Sequence, residues 1–254
     1  MNAAFLITCY DTMREARFTV DLLRNKWVKT KHCPIVIVIS GDTQRNLQFN
    51  DDKLTRVVHL DDIVGVDFNN LVSTSIMRQI RHGMIEVKDF ARSLYIDNVV
   101  HMHGDILLLN EKGFVDTLEN FNNSDKFVAA DPVSAQRSDY IHFDGYELMP
   151  QIFAAKYDFC LRTSYLFQMD IEGDLERRST EWALIGNLKR ATRWATERKA
   201  FEEYVCVIEP SRQQWGEHKG WGGWIHYGNM LHCPKEKREQ MNEAALRSKG
   251  VHDY

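Results

Sequence analysis

Three side chains that can bind a metal ion alternate along one apolar segment of the chain. His101, His103 and Asp105 stand two residues apart, with apolar residues on both sides. If residues 97–109 form one β-strand, side chains alternate between the two faces and all three share one face. A carboxylate at the edge of a hydrophobic sheet is costly unless a cation or hydrogen-bond donors compensate it. The spacing therefore predicts a divalent cation, of the kind that sits over a diphosphate.

Other polar groups follow the ends of further predicted strands. These groups are Thr8 with Tyr10 and Asp11, Ser40-Gly41-Asp42, and Asp131. In an open α/β sheet, ligands bind beyond the carboxyl ends of the strands. A single aspartate at a strand end is most often a turn residue or a helix cap. Several at successive strand ends favour a binding crevice.

The elements that position these groups alternate between strand and helix in the first half. Apolar runs predict strands at 5–10, 35–39, 55–60 and 94–101. Thr12 and Glu15 have capping-box spacing at the start of a first helix. Ile76, Ile80, Met84 and Val87 recur at helical spacing and mark the inner face of a second helix. This alternation predicts an α/β fold built from βαβ units.

The second half predicts shorter elements in a mixed arrangement. Strands are expected at 127–131, 152–155, 166–169 and 205–208, and a helix from about Thr180 to Ala195. A loop rich in Trp and Gly follows at 215–228, and a charged, helical tail begins near Pro234. No linker or repeat divides the chain, so a single domain is expected.

Composition excludes several functional classes. The chain has 254 residues, is 44% hydrophobic and carries a net charge of -4 without a basic stripe, which argues against a nucleic-acid partner. Five widely spaced cysteines without a Cys-x-x-Cys pair indicate reduced thiols and a cytoplasmic location. No apolar stretch approaches the roughly 20 residues of a membrane span. We expect a soluble protein, with peripheral membrane contact left open.

The first half resembles the nucleotide-sugar-binding half of the GT-A glycosyltransferases. The resemblance covers residues 3–110 and rests on a first strand with a polar loop, a second strand ending in Gly41-Asp42, and a helix with two arginines. It also rests on a strand that ends in His103-Gly104-Asp105, where the family has Asp-x-Asp.

The resemblance implies a Rossmann-like mixed, mostly parallel sheet flanked by helices, in a single domain spanning residues 1–254. It implies a nucleotide-sugar-binding half at 1–110. It also implies an acceptor-binding half at 111–254, with the Trp/Gly-rich segment as a lid and a C-terminal tail. The activity expected from it is transfer of a sugar from a nucleoside-diphosphate donor to a glycan or other hydroxyl acceptor.

The metal site implied by the resemblance has Asp105 as its main ligand. His103 replaces the first aspartate, and His226, which is followed closely by Gly228, supplies a late ligand. His218 and His232 compete for that last role. An imidazole is better accepted by Mn²⁺ than by Mg²⁺, so manganese is the expected cofactor.

Donor-binding residues are expected at the same strand ends. Asp11 and Asp42 accept hydrogen bonds from ribose or base, and arginines pair with the phosphates. The full set of expected donor contacts is Thr8, Tyr10, Asp11, Arg14, Asp42, Arg78, Arg81, His103 and Gly104. Taken alone, each arginine is better explained as a solvated helix residue, and the pair Arg78 and Arg81 supports phosphate binding better than either does alone.

The acceptor side needs a carboxylate near the reacting hydroxyl. Glu181 is the first choice, at the start of a predicted helix, and Asp174 is the second, ahead of Glu172 and Asp144. The helix dipole also favours an acid at such a position for structural reasons alone. Retaining relatives have an acidic residue followed by Leu and Asn in this region, which Glu181, Leu184 and Asn187 match loosely, so inversion or retention stays open. The remaining expected acceptor contacts are Trp215, Trp221 and Trp224.

Three alternatives compete with sugar transfer. The His101-x-His103 pair also suits a metal-dependent hydrolase, although such pairs usually begin near the first strand of a barrel. A sugar nucleotidyltransferase shares the sheet pattern but needs a Gly-rich, Arg-containing loop after the first strand, which Thr8 to Asp11 does not supply. A non-catalytic carbohydrate-binding protein would use the tryptophan loop alone. Structurally, both histidines can also be satisfied within the sheet while Asp105 caps a turn.

Overall fold

The computed structural model describes residues 1–41, 49, 52–61, 68–108, 110–134, 146–168, 180–192, 204–207, 225–227 and 230–232. Its strands are β1 Ala3–Tyr10, β2 Ile35–Ser40, β3 Thr55–His59, β4 Asn98–His103, β5 Ile106–Leu108, β6 Val128–Ser134, β7 Tyr146–Lys156, β8 Val205–Val207, β9 Ile225–Tyr227 and β10 Met230–His232. Its helices are α1 Met13–Asp21, α2 Phe68–Phe90, α3 Glu111–Asn122, α4 Tyr157–Thr163 and α5 Thr180–Thr192. A π-helical turn at Leu22–Lys26 continues α1. Within this part of the chain, no helix has both the length and the apolar character needed to cross a bilayer.

The main sheet has seven strands in the order β3-β2-β1-β4-β7-β6-β8. All of them run parallel except β7, which is antiparallel to both of its neighbours. The order confirms the predicted mixed, mostly parallel α/β sheet flanked by helices. Chain order reverses at β1, because β2 lies on one side of it and β4 on the other. In open α/β sheets the crevice at such a reversal is the usual ligand site.

Helices cover both faces of the sheet. On one face, Leu6 and Val38 pack in a core with residues of α2 and α5. On the other, Phe5 and Ile37 pack with residues of α1 and α3. Strands buried on both faces must be apolar at every position, which explains the unbroken apolar run of β2. The buried strand predicted at 35–39 is confirmed.

The start of α1 differs from the prediction. The helix begins at Met13, as the pattern indicates, but Thr12 makes no capping hydrogen bond with its side chain. Glu15, expected to reach back to the helix start, is instead 1% exposed. The predicted capping box is therefore wrong, because both side chains turn into the protein.

Helix α2 has the predicted inner face. Ile76, Ile80, Met84 and Val87 are all buried against β1 and β2. Gly83 allows this close packing, since a Cβ at that position would collide with the side chain of Leu6. Helix α2 is therefore tightly seated on the strands whose ends form the crevice.

One predicted strand of the second half is wrong. Residues 164–168 form turns after α4 instead of a strand. Ser164 and Leu166 have positive φ angles of 59° and 67°, a left-handed conformation that ends α4 and cannot continue into a strand. The strands predicted at 152–155 and 205–208 are confirmed as parts of β7 and β8.

A second, three-stranded sheet was not predicted. β10 pairs antiparallel with both β5 and β9, so the order is β5-β10-β9. The segment 97–109, predicted as one strand, is thereby divided: β4 ends at His103, a turn follows, and β5 joins the second sheet. The alternation that placed His101, His103 and Asp105 on one face therefore stops at Gly104.

Candidate active site at the ends of β1 and β4

The crevice at the reversal of strand order is formed by the last residues of β1 and β4. Thr8 and His103 are partners in the parallel pairing of these two strands. The amide nitrogen of Gly104 then donates to the carbonyl oxygen of Thr8 over 2.8 Å. The predicted residues Thr8, His103 and Gly104 therefore lie together.

The two histidines of β4 share the face that packs towards α2 and α5. His101 is fully buried, and its Nε2 lies 3.0 Å from the hydroxyl oxygen of Thr8. Its ring packs against Phe153 at a centroid distance of 4.7 Å and meets His103 edge to face at 5.5 Å. His101 is thus a structural residue that supports His103, as one of the two interpretations of the sequence holds. A hydrolase that uses both histidines as metal ligands is disfavoured, since this sheet is also open and not a barrel.

Gly104 is required by a close approach between the β4 turn and the start of α1. A Cβ on Gly104 would collide with the hydroxyl of Thr12 and would lie 2.9 Å from the carbonyl oxygen of Thr12. It would also lie 3.0 Å from Sγ of Cys9. Real Cβ atoms do not make such contacts, so only glycine fits here. The turn that carries Asp105 is therefore held against the first βα connection.

Asp105 lies in this turn and is only 5% exposed. Its negative charge acts on the thiol of Cys9, as does that of Glu15 from α1. Burial is the largest cause that raises the pKa of Cys9, to about 12, with both carboxylates adding to the rise. Two carboxylates therefore lie near one buried thiol beneath the crevice. Only Asp105 was predicted, because an acid in the first turn of a helix gives no sign in the sequence that it will be buried.

The ends of β1 and β2 also approach each other. Asp11 has a positive φ of 54°, unusual for a residue with a side chain, and Gly41 has φ 95°. A Cβ on Gly41 would lie 3.0 Å from Oδ1 of Asp11. Tyr10 and Ser40 are partners at the end of the β1–β2 pairing. The predicted residues Tyr10 and Asp11 are thus placed at the crevice by backbone turns.

Gln79 of α2 is a site residue that the sequence did not reveal. It is fully buried, and its Nε2 donates to the carbonyl oxygen of Cys9 over 3.1 Å and to the hydroxyl of Ser40. One side chain therefore ties α2 to the carboxyl ends of two strands. The available signal was a polar residue directly beside the apolar stripe of α2.

The three predicted arginines are placed differently. Arg14 is exposed on α1. Arg78 donates from Nη1 to the carbonyl oxygen of Asp61 over 2.8 Å, beyond the end of β3. Arg81 lines a separate cleft between α2 and α5, together with Arg190. The structure therefore does not bring these three side chains to one point.

The groups at the crevice suit a metal ion in their chemistry. A carboxylate from Asp105 and an imidazole from His103 are ligands that Mn²⁺ accepts. Among the residues that the structure describes, no group of three His, Cys, Asp or Glu side chains lies close enough to hold an ion. Any further ligand to an ion held by Asp105 and His103 would have to come from outside these residues. The backbone of His226 pairs with Leu231, which pairs with Leu107, so the second sheet brings this segment beside the strand that follows Asp105.

For the remaining predicted site residues, the structure describes either the backbone alone or nothing. Glu181 lies in the first turn of α5, but its side chain is not described. His226 and His232 are known as backbone positions in β9 and β10. The residues that lie outside altogether are Asp42, Asp144, Glu172, Asp174, Trp215, His218, Trp221 and Trp224.

Comparisons with known proteins give structural matches only. No family model and no curated protein matches the chain. An active-site mutant of LgtC matches with 11% identity and a TM-score of 0.48, covering 99% of this chain and 95% of that one. The glycosyltransferase GlyE of Streptococcus pneumoniae TIGR4 matches with 10% identity and a TM-score of 0.42, over 82% of this chain and 45% of its own.

A third match is a putative nucleotide-diphospho-sugar transferase from Desulfovibrio desulfuricans G20. It has 14% identity and a TM-score of 0.39, with coverage of 82% of this chain and 80% of that one. Such low identities and scores assign no activity, donor or metal to this chain. The function must therefore be argued from the crevice itself.

Proposed function

We propose that the chain is a metal-dependent glycosyltransferase, which moves a sugar from a nucleoside diphosphate to a hydroxyl acceptor. The observation that carries the proposal is the position of Asp105. This nearly buried carboxylate follows β4 at the point where the strand order reverses, beside the ends of β1 and β2. A carboxylate in that place suits a cation that itself binds a diphosphate.

The donor nucleotide lies across the ends of β1 and β2 in this proposal. Asp11 presents a carboxylate from a left-handed turn, and the absence of a side chain on Gly41 leaves room for that carboxylate close to the backbone. Gln79 keeps both strand ends in place from below. Tyr10, Asp42, Arg14 and Arg78 remain proposed donor contacts, with the arginines as partners of phosphate. Arg81, which was expected to join them, lines the cleft between α2 and α5 instead.

Asp105 and His103 hold the cation, with His226 as the third ligand. Mn²⁺ or Mg²⁺ would stabilise negative charge on the diphosphate as the glycosidic bond breaks. The protein contributes a fixed geometry. Gly104 seats the turn against Thr12, and His101, bonded to Thr8, supports the ring of His103. The second sheet supports the choice of His226. Leu107, two residues after Asp105, pairs with Leu231, which in turn pairs with His226.

The acceptor is a glycan or glycoconjugate bound by the half at 111–254. Glu181, in the first turn of α5, takes the proton of the acceptor hydroxyl, with Asp174 as the reserve. Trp215, Trp221 and Trp224 stack on sugar rings from the Trp/Gly-rich segment. Residues 1–110 serve the donor. We propose a cytoplasmic location, with the possibility of contact at a membrane surface.

Thermal unfolding with nucleoside diphosphates tests the donor and the metal together. A ligand that binds only the folded chain raises its stability by mass action. UDP, GDP, CDP and ADP are each added with and without Mn²⁺. One of them should raise the unfolding temperature with Mn²⁺ and fail to do so without it.

Asp105→Asn should remove this shift, because the variant loses the charge but keeps the side-chain shape. Asp116→Asn is the matched control, since Asp116 lies on α3 in a surface ion pair with Lys112. Its shift should equal that of the parent. The proposal fails if no nucleotide shifts the parent, or if Asp105→Asn responds to nucleotide and Mn²⁺ as the parent does.

A further inference from the structure

A cleft of about 450 Å³ lies between α2, α5 and the turn that follows α4. This volume is within the range of small-molecule sites. The cleft is separate from the crevice at the strand ends. Gln79 of α2 reaches Cys9 and Ser40 at those ends, and Gly83 lies over Leu6 in mid-strand. None of the residues that line the cleft is one of the described residues of the crevice.

Two guanidinium groups from different helices line the cleft. Arg81 comes from α2 and Arg190 from α5. Arg190 donates from Nη2 to Oδ1 of Asn187, a contact that helps to fix its side chain. The lining residues that the structure describes include no carboxylate. Burial is the largest cause that lowers the pKa of His82, and the charges of Arg78 and Arg81 lower it further. The positive charge therefore acts on this face of α2.

The third wall of the cleft is a turn in an unusual conformation. Ser164 has the left-handed backbone angles that end α4, and Leu166 has a positive φ within the turn itself, which is rare for leucine. Such conformations cost free energy and tend to persist where a ligand site needs them. The turn presents Ser164 and Gln168 to the cleft, which are neutral hydrogen-bond partners.

We propose that this cleft binds a phosphate group, either free or carried as a monoester. Two guanidinium groups suit a ligand with two negative charges better than a ligand with a single carboxylate. Each guanidinium can present parallel N–H donors to phosphate oxygens. The neutral side chains of Ser164, Gln168 and Asn187 add partners around the remaining oxygens. The site does not depend on sugar transfer, so its failure would leave the proposed function untouched.

Isothermal titration with inorganic phosphate tests the site, against sodium chloride at equal ionic strength. The parent should bind phosphate at one saturable site. Arg190→Gln should weaken binding about tenfold or more, since it removes one charged fork. Arg190→Lys, which keeps the charge and spares the fold, should weaken it by a smaller factor. Arg92→Gln is the matched control, because Arg92 is a surface residue, 76% exposed, paired with Asp89.

Glycerol 3-phosphate distinguishes the sources of the group. Tighter binding of this ester than of inorganic phosphate assigns a phosphate carried on a larger molecule, and equal or weaker binding assigns free phosphate. The proposal is overturned if the parent shows no saturable binding, or if Arg190→Gln binds phosphate as the parent does. Displacement of phosphate by a nucleoside-diphosphate sugar in the absence of metal would also overturn it, because that ligand has no terminal phosphate and the cleft would then belong to the donor site.

Discussion

Gly104 lies against Thr12 with no room for a side chain between them. A Cβ on Gly104 would overlap the Thr12 hydroxyl and come within 2.9 Å of its carbonyl oxygen. The contact joins the turn that carries Asp105 to the residue that begins α1. A backbone oxygen cannot swing away as a long side chain can, so the position of Asp105 depends on the absence of one methyl group.

Gly104→Ala should therefore lower the free energy of unfolding by about 1–3 kcal/mol, the usual cost of overpacking. It should also abolish any nucleotide-dependent stabilisation, because the turn must shift. Urea unfolding measures the first effect, and thermal shift with Mn²⁺ and nucleotide measures the second. Gly186→Ala on α5 is the control, since nothing lies within 4 Å of its Cβ position. This control should gain about 0.5–1 kcal/mol from helix propensity.

Thr8→Val should destabilise the chain by about 1–3 kcal/mol. The substitution keeps the shape of the side chain but removes the hydroxyl that lies 3.0 Å from Nε2 of the buried His101. Urea unfolding measures the loss. Thr117→Val should change stability by less than about 0.5 kcal/mol, because its hydroxyl bonds the carbonyl of Gly113 on the half-buried side of α3. Equal effects at the two positions would contradict a supporting role for Thr8.

Gln79→Met should loosen the ends of β1 and β2. The variant keeps the length of the side chain but removes the donor to Cys9 and Ser40. Amide hydrogen exchange should become faster at Tyr10 and Gly41 while the middle of β2 stays protected. An unchanged exchange rate at these ends would show that α2 does not restrain them.

The stability of the chain should fall as the pH rises above 9. Burial raises the pKa of Cys160 above its ordinary value of 9.0, so the folded chain keeps the thiol proton that the unfolded chain releases. The stabilisation is complete below pH 9 and is lost as the pH rises from there. A single such group contributes a slope of at most about 1.4 kcal/mol per pH unit.

Cys160→Ala should make this alkaline slope shallower, whatever it does to stability at neutral pH. Urea unfolding under reducing conditions, from about pH 8 to about pH 10.5, measures the slope. Burial also raises the pKa of Tyr165, so part of the slope should remain. Cys206→Ala should alter the slope less, because Cys206 is only half-buried. A slope unaffected by Cys160→Ala would contradict the assignment.

The main sheet was predictable because its signals are local. The apolar run of β2 and the stripe of α2 each lie within one element, and burial followed the pattern. The second sheet was not predictable, since β5, β9 and β10 have three residues each and β5 pairs with a strand about half the chain length away. The strand predicted at 166–169 was wrong for another reason. Leucine and phenylalanine there read as strand, and only the backbone angles show otherwise.

The crevice was predicted in part for a similar reason. Polar residues at strand ends are visible in the sequence. Topology then brings Thr8 beside His103, and backbone turns bring Asp11 beside Gly41. Gln79 and Glu15 were missed because their burial comes from packing between distant segments. Asp105 as a metal ligand stays a prediction. Its presumed strand ends at His103, and the turn that follows is in close contact with Thr12.

The pairing of β5 with β10 also sets an order of events during folding. Strands β1 to β4 can assemble from the first 103 residues, with short connections that close at low entropic cost. Residues 106–108 find their partner strand only at 230–232. Contacts so distant in sequence form late. The carboxylate of Asp105 is therefore placed early on one side, and the β5 segment that follows it gains its partner strand last.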